Sequence, residues 1–175
     1  LNVSFPRSTG NTPCFYNHFV TDREESFDQP GTPEEPKGHY IFDKPEPLWN
    51  FGHGKSYTTF DYVDCALSDT LLVASDTLKV SVTIKNTGRR DGKEVVQLYV
   101  RDKVSTVATP IQQLKAFQKV LIKPGESQCV ELSLPIAELA LYNAKMEEVV
   151  EPGDFEIQIG AASDDIRFKK TITIN

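Results

Sequence analysis

A strict alternation of apolar and polar residues is the feature that most constrains how this chain can fold. Residues 78–85 read LKVSVTIK. Because successive side chains of a strand point to opposite faces of a sheet, this period of two predicts a half-buried β-strand. Residues 86–92, NTGRRDG, then supply residue types that favour turns and tolerate positive φ. The segment therefore predicts one strand of a sheet that is closed by a turn.

The same pattern of short strands and turns continues to the last residue. Glycine, proline and aspartate mark turns at 123–126 and 151–154. A short helical turn is expected at 136–139, and no helix of three turns is predicted anywhere. Seven or eight short strands divided by such turns are typical of an all-β, antiparallel β-sandwich with an apolar inner layer. The predicted strands are 78–85, 94–101, 113–120, 129–134, 140–142, 147–150, 155–159 and 166–174.

The first sixty residues have a different composition. Seven of the eleven prolines lie within residues 1–50, and residues 20–47 show little apolar periodicity. Proline fixes φ and removes a backbone donor, so this stretch is predicted to be loop. A loop of that length is unusual in a compact domain. We therefore expect an irregular Pro-rich arm over residues 1–60 that lies on a neighbouring domain, followed by the sandwich over residues 61–175.

Charge and hydropathy argue against nucleic-acid binding and against a membrane-spanning helix. The net charge is −6, so the phosphates of a nucleic acid would be repelled over most of the surface. Arg89 and Arg90 are followed at once by Asp91, which indicates a charged turn. The chain has no apolar run as long as a transmembrane helix. Neither nucleic-acid binding nor a membrane span is expected.

Residues 52–56, GHGKS, look like the end of a phosphate-binding loop. The full motif needs a glycine where Trp49 stands, and the aromatic and β-branched residues 57–62 cannot form the helix that would follow it. A sharp glycine turn between aromatic anchors explains the segment better.

Metal binding and cofactor binding are not expected. His18, His39 and His53 are far apart in sequence, and no two of them are four residues apart. Adjacent carboxylates, which recur along the chain, would point to opposite sides of a strand and could not act together on one bond.

Three cysteines, Cys14, Cys65 and Cys129, match no zinc-binding spacing. Cys129 falls in the predicted strand at 129–134 and a strand is expected around Cys65 as well, so a disulfide between them is conceivable, but buried free thiols are favoured.

Five aromatic residues lie within fourteen positions. They could form a stacking platform for a sugar ring, or they could fasten the connecting segment to the sandwich and to a neighbouring domain. Aromatic side chains dominate cores and interfaces, so we favour fastening and assign all five as domain-docking residues. These residues are Trp49, Phe51, Tyr57, Phe60 and Tyr62.

A longer set of motifs resembles a known family. Residues 47–60, PLWNFGHGKSYTTF, resemble the P-L-x-x-F-G-[YH]-G-L-S-Y-T-x-F signature that precedes the C-terminal domain of family 3 glycoside hydrolases. Residues 82–88, 95–100, 113–126 and 151–155 resemble that domain, which is fibronectin type III-like, in the same order. Lys55 and Ala116 depart from the usual Leu and Gly.

The resemblance implies that residues 1–60 are the tail of the family's α/β sandwich domain plus a linker. The parent would be a retaining β-glycosidase, of the β-glucosidase or β-xylosidase type, that is periplasmic or secreted and acts on oligosaccharides. Its nucleophile would lie in a preceding barrel, in a Ser-Asp-Trp-like motif, and no Ser-Asp pair here is followed by Trp. We therefore assign no catalytic, substrate-binding or metal residue, and we expect the chain to be an inactive accessory module whose partners are the upstream catalytic domains.

The alternative is a free-standing sandwich that binds carbohydrate or a cell surface. An independent binding module would not need sixty residues of unsupported loop and aromatic side chains, whereas a domain excised from a larger enzyme would retain them. This difference favours the accessory module.

Overall fold

The computed structural model describes residues 1–12, 14–19, 33 and 46–175. Most of the predicted loop at 20–47 lies outside these residues. The described part contains ten strands and two short 3-10 helices, at Thr9–Asn11 and Ile136–Leu139. The strands are β1 (Phe60–Leu67), β2 (Leu71–Leu72), β3 (Thr77–Asn86), β4 (Gly92–Asp102), β5 (Gln113–Ile122), β6 (Ser127–Pro135), β7 (Leu141–Tyr142), β8 (Glu148–Val149), β9 (Gly153–Ala162) and β10 (Asp165–Ile174).

Two sheets form the predicted sandwich. One has three strands in the order β1-β3-β6, and the other has five in the order β2-β10-β9-β4-β5. All pairs are antiparallel except β2 with β10. The all-β prediction is confirmed. Seven strands have eight or more residues, within the predicted seven or eight. The other three, β2, β7 and β8, have two residues each. Neither described helix is long and apolar enough to span a membrane.

The predicted alternation in β3 sets the core. Leu78, Val80, Val82 and Ile84 have no exposed surface, whereas the intervening residues face outward or lie at the margin. Burying one such side chain stabilises the fold by about 1.5–3 kcal/mol. Since β3 is the central strand of its sheet, this row packs against the apolar inner face of the five-stranded sheet.

The cysteine prediction is half right. All three cysteines are free; Cys65 is buried, but Cys129 is exposed. The register pairs Cys65 with Val82, and Cys129 with Thr83, on opposite faces of the sheet. Opposite faces and the intervening strand β3 exclude a disulfide between them.

The glycines of the 86–92 turn were predicted to adopt positive φ, but the structure requires them for a different reason. Neither Gly88 nor Gly92 has positive φ. A Cβ at Gly88 would collide with the side chain of Thr58, and a Cβ at Gly92 would collide with Thr58 and Phe60. Both glycines are needed because the chain just before β1 packs closely over this turn.

Candidate functional site

The N-terminal part of the chain covers the outer face of the five-stranded sheet around Gln97 and Tyr99. Gln97 and Tyr99 alternate with core residues in β4 and so face away from the core, yet they are only 3% and 0% exposed. Phe51 and Tyr16 cover them: these two rings stack with centroids 4.1 Å apart, and Tyr16 meets Tyr99 edge-on at 6.0 Å. The Leu114 amide donates to the Tyr16 hydroxyl at 3.3 Å.

A buried polar pair sits under this cover. The Tyr99 hydroxyl donates to Gln97 Oε1 at 2.6 Å, and Gln97 Nε2 donates to the carbonyls of Gly52 and Ala161. Burial raises the pKa of Tyr99 above its ordinary value, which keeps the hydroxyl a donor. The side-chain polar groups of Gln97 and Tyr99 are all hydrogen-bonded, so neither is left unpaired in the interior. The bond from Gln97 to the Gly52 carbonyl fixes the covering segment on the sheet.

The predicted glycine turn positions the segment above Gln97. The His53 amide donates to the Asn50 carbonyl at 3.1 Å, and Gly52 has a φ of 81°. The third residue of a type II turn needs positive φ, which favours glycine. A side chain at Gly52 would also collide with the Gln97 amide.

The turn is fastened to the β9–β10 connection. The Ser163 amide donates to the Phe51 carbonyl at 2.9 Å, and Asn50 Nδ2 donates to Asp164 Oδ2 at 2.6 Å. Gln112 Nε2 in turn donates to the Ser163 carbonyl at 3.0 Å. The segment is therefore held by backbone and side-chain bonds as well as by aromatic stacking.

The first residues pair with the same turn. The Phe5 amide donates to the Trp49 carbonyl at 2.8 Å, and the Gly52 amide donates to the Leu1 carbonyl at 2.8 Å. The Leu1 amine donates to the His53 carbonyl at 2.7 Å. The beginning of the chain is thus fixed against the segment that leads into β1.

Two of the five predicted docking aromatics belong to the sandwich edge. Phe60 and Tyr62 lie in β1, are partly buried and pack against the core. The Tyr62 hydroxyl donates to Glu94 Oε1 at 2.9 Å, and the Arg167 guanidinium lies 5.6 Å from the Tyr62 ring centroid. Burial, with the Glu94 charge added, raises the pKa of Tyr62, and burial also raises the pKa of the Glu94 carboxyl.

Trp49 and Tyr57 face solvent. Trp49 is 38% exposed and packs against the His53 ring at 4.6 Å, with Lys55 Nζ 5.1 Å from its centroid. Tyr57 is 92% exposed. The structure therefore distributes the five predicted aromatics over three places: Phe51 on the outer face, Phe60 and Tyr62 on the sandwich edge, and Trp49 and Tyr57 at the surface.

Exposed apolar side chains concentrate in the short N-terminal part. Half of the exposed large hydrophobic residues among those described precede Phe60, although most described residues follow it. A density this high is typical of a surface that meets another protein surface. These residues are Leu1, Val3, Phe5, Phe15, Phe19, Leu48, Trp49 and Tyr57.

The described residues include no group of three or more His, Cys, Asp or Glu that could hold a metal ion. Sequence reasoning missed the roles of Tyr16, Gln97 and Tyr99. The available signal was the run VVQLYV at 95–100, whose near-continuous apolar character indicates a strand covered on both faces.

Comparisons with known proteins agree with this architecture. Residues 94–163 match the fibronectin type III-like domain family. The chain is 38% identical over 166 residues to the periplasmic β-glucosidase of Salmonella typhimurium, covering 93% of this chain and 21% of that protein. It is 40% identical over 169 residues to a β-xylosidase of Formosa agariphila, covering 95% and 22%. The β-glucosidase of Listeria innocua, solved with glucose, superposes with a TM-score of 0.84 at 35% identity, covering 100% of this chain and 24% of that one.

The molecule is thus a fibronectin type III-like β-sandwich preceded by a segment that packs on its outer face. It corresponds to the C-terminal region of family 3 glycoside hydrolases. The chain spans about a fifth of the length of the curated relatives it matches.

Proposed function

We propose that this chain is the non-catalytic C-terminal module of a retaining β-glycosidase of the β-glucosidase or β-xylosidase type. The observation that carries the proposal is the match of almost the whole chain to one fifth of proteins named β-glucosidase and β-xylosidase. The module would stabilise the catalytic domains by covering their apolar surface. The exposed apolar side chains before Phe60 support this role, because they need such a partner.

The proposed division of the chain keeps residues 1–60 as the tail of a preceding domain with its linker, and 61–175 as the sandwich. Strand β1 begins at Phe60, which supports that boundary. The partners would be the upstream domains of the same polypeptide, and the oligosaccharide substrate would be bound by those domains. A periplasmic or secreted enzyme is supported by the periplasmic relative. The net charge of −6 disfavours nucleic acid.

The five predicted docking residues would have two different roles. Trp49 and Tyr57, which are exposed, would contact the preceding domain. Phe51, Phe60 and Tyr62 would hold the segment on the sandwich, so that the exposed rings are presented in a fixed position.

Activity measurements test the proposal. We expect the purified chain to release no product from an aryl β-glucoside or an aryl β-xyloside above a heat-killed control. The complete protein from the same reading frame is expected to hydrolyse at least one of the two. Turnover by the isolated chain, or a complete protein inactive on both, would contradict the proposal.

A further inference from the structure

A groove of about 740 Å³ lies between the 51–57 segment and the outer face of β4 and β5. Val95, Leu114 and Phe117 of the two strands line the groove, and so do Tyr57 of the segment and Leu1. Tyr57 is 92% exposed, Phe117 67% and Leu1 49%. Three large apolar side chains that share one concave surface and remain this exposed indicate an uncovered contact surface.

Charged side chains also line the groove. They are of both signs and include Lys55, Asp91, Lys93 and Lys119. An apolar centre with a polar, solvent-accessible rim is the usual arrangement of a protein–protein interface.

Two polar side chains of the groove, Gln97 and Glu94, are already used within the chain. Gln97 donates to two backbone carbonyls and accepts from the Tyr99 hydroxyl. One oxygen of Glu94 accepts from the Tyr62 hydroxyl. A sugar needs several free donors and acceptors aimed at its hydroxyl groups, whereas an apolar protein surface does not. The groove therefore suits a protein surface better than a sugar.

The position of Leu1 identifies the occupant. Its amine and its carbonyl are both hydrogen-bonded to the 52–53 turn, so its place beside the groove is fixed. The relatives are about five times as long as this chain, which matches their C-terminal region. In such a protein, the residues before Leu1 start at the groove itself.

We propose that the groove seats the part of the same polypeptide that directly precedes Leu1, and that Tyr57 and Phe117 are its main contacts. The proposal rests on the proposed function, because a preceding domain is expected only if the chain is a C-terminal module. It names the contact surface on the sandwich itself, in addition to the exposed residues of the N-terminal segment.

Thiol labelling measures whether the groove is covered. Phe117→Cys is introduced into the isolated chain and into the complete protein, and maleimide labelling is followed at each cysteine by peptide mass spectrometry. Lys119→Cys, which lines the same groove, keeps both aromatic rings and serves as a second probe in case loss of Phe117 weakens the contact. The exposed Cys129, on the opposite sheet, is the internal reference.

We expect labelling at 117 and 119 to be at least about tenfold slower in the complete protein than in the isolated chain, with no change at Cys129. Equal rates in the two proteins would overturn the proposal. Equal rates that fall on adding cello-oligosaccharide would overturn it in favour of a sugar site. Slow, concentration-dependent labelling of the isolated chain would overturn it in favour of a second copy.

The glycosidase activity of the same complete protein separates the two proposals. An active protein with an accessible groove contradicts only the docking proposal. A complete protein that is inactive on both substrates contradicts the proposed function, whatever the labelling shows.

Discussion

Asn86 makes four buried or partly buried hydrogen bonds, one of which, with Thr58, joins the segment before β1 to the sandwich. Its Nδ2 donates to the carbonyls of Arg90 and Ile122, both at 2.8 Å. Its Oδ1 accepts from the Thr58 hydroxyl at 2.6 Å and from the Gly88 amide at 3.0 Å. The side chain is fully buried, so water cannot take over these bonds without opening the site.

Replacing this side chain removes all four bonds at once. Each is worth about 1 kcal/mol net, and a buried carbonyl left without a donor costs about 1–3 kcal/mol. We expect Asn86→Ala to lower the free energy of unfolding by about 3–5 kcal/mol, a large part of the roughly 5–15 kcal/mol that stabilises a domain. For a domain of this size, the corresponding fall in melting temperature is about 6–20 °C.

Asn143 provides the matched control. Its amide makes three hydrogen bonds within the exposed 143–147 turn, to Lys145 and Glu147. Water can replace them, so Asn143→Ala should cost no more than about 1 kcal/mol. Urea unfolding followed by circular dichroism measures both variants. Equal midpoints for Asn86→Ala and Asn143→Ala would refute the argument that the buried amide fastens the segment.

Three further predictions concern single positions in the isolated chain, each measured by urea unfolding. Phe51→Ala, which removes the ring stacked on the outer face, should cost about 2–3 kcal/mol, while Trp49→Ala should cost about 1 kcal/mol or less; the reverse order would contradict the assigned roles. Since burial raises the folded pKa of Glu94, the stability linked to that shift is present below its ordinary pKa of 4.5 and is lost as pH rises through the raised pKa. Glu94→Gln, which still accepts from Tyr62, should therefore be more stable than the wild type at pH 7 and no more stable near pH 4, and a pH-independent difference would contradict this. Met146, exposed and with a φ of 63°, occupies a conformation that favours Asn, so Met146→Asn should stabilise by about 0.5–1 kcal/mol, and destabilisation would contradict this reading.

Local patterns in the sequence predicted the sandwich because its strands follow a local rule. In β3 the period of two alone identifies the buried row, and the register with β6 preserves it: Val80 pairs with Leu132 and Val82 with Val130. The short helix at Ile136–Leu139, which directly follows β6, was also predicted. Features of this kind depend on neighbours a few residues away.

The features that the sequence did not reveal depend on contacts between distant residues. Gly88 looks like a turn glycine, but it is needed because Thr58, thirty positions earlier, lies beside it. Gln97 looks like an outward polar residue of a half-exposed strand, yet Gly52 and Phe51 cover it. Cys129 is different: it alternates with the buried residues Val130, Leu132 and Leu134 of β6, so the period of two could have predicted its exposure.

The composition changes near residue 60, but the packing does not divide there. Tyr99, at 0% exposure, is buried by rings that belong to the segment before that boundary, among them Tyr16. Removal of that segment would expose a phenol and an amide whose hydrogen bonds are made inside the covered face. The sandwich therefore depends on the segment for one of its faces, while the segment depends on Asn86 and Gln97 for its position. It follows that the unit which would meet a preceding domain is the sandwich and the segment together, since Thr58, next to Tyr57 in the segment, is held by Asn86 of the sandwich.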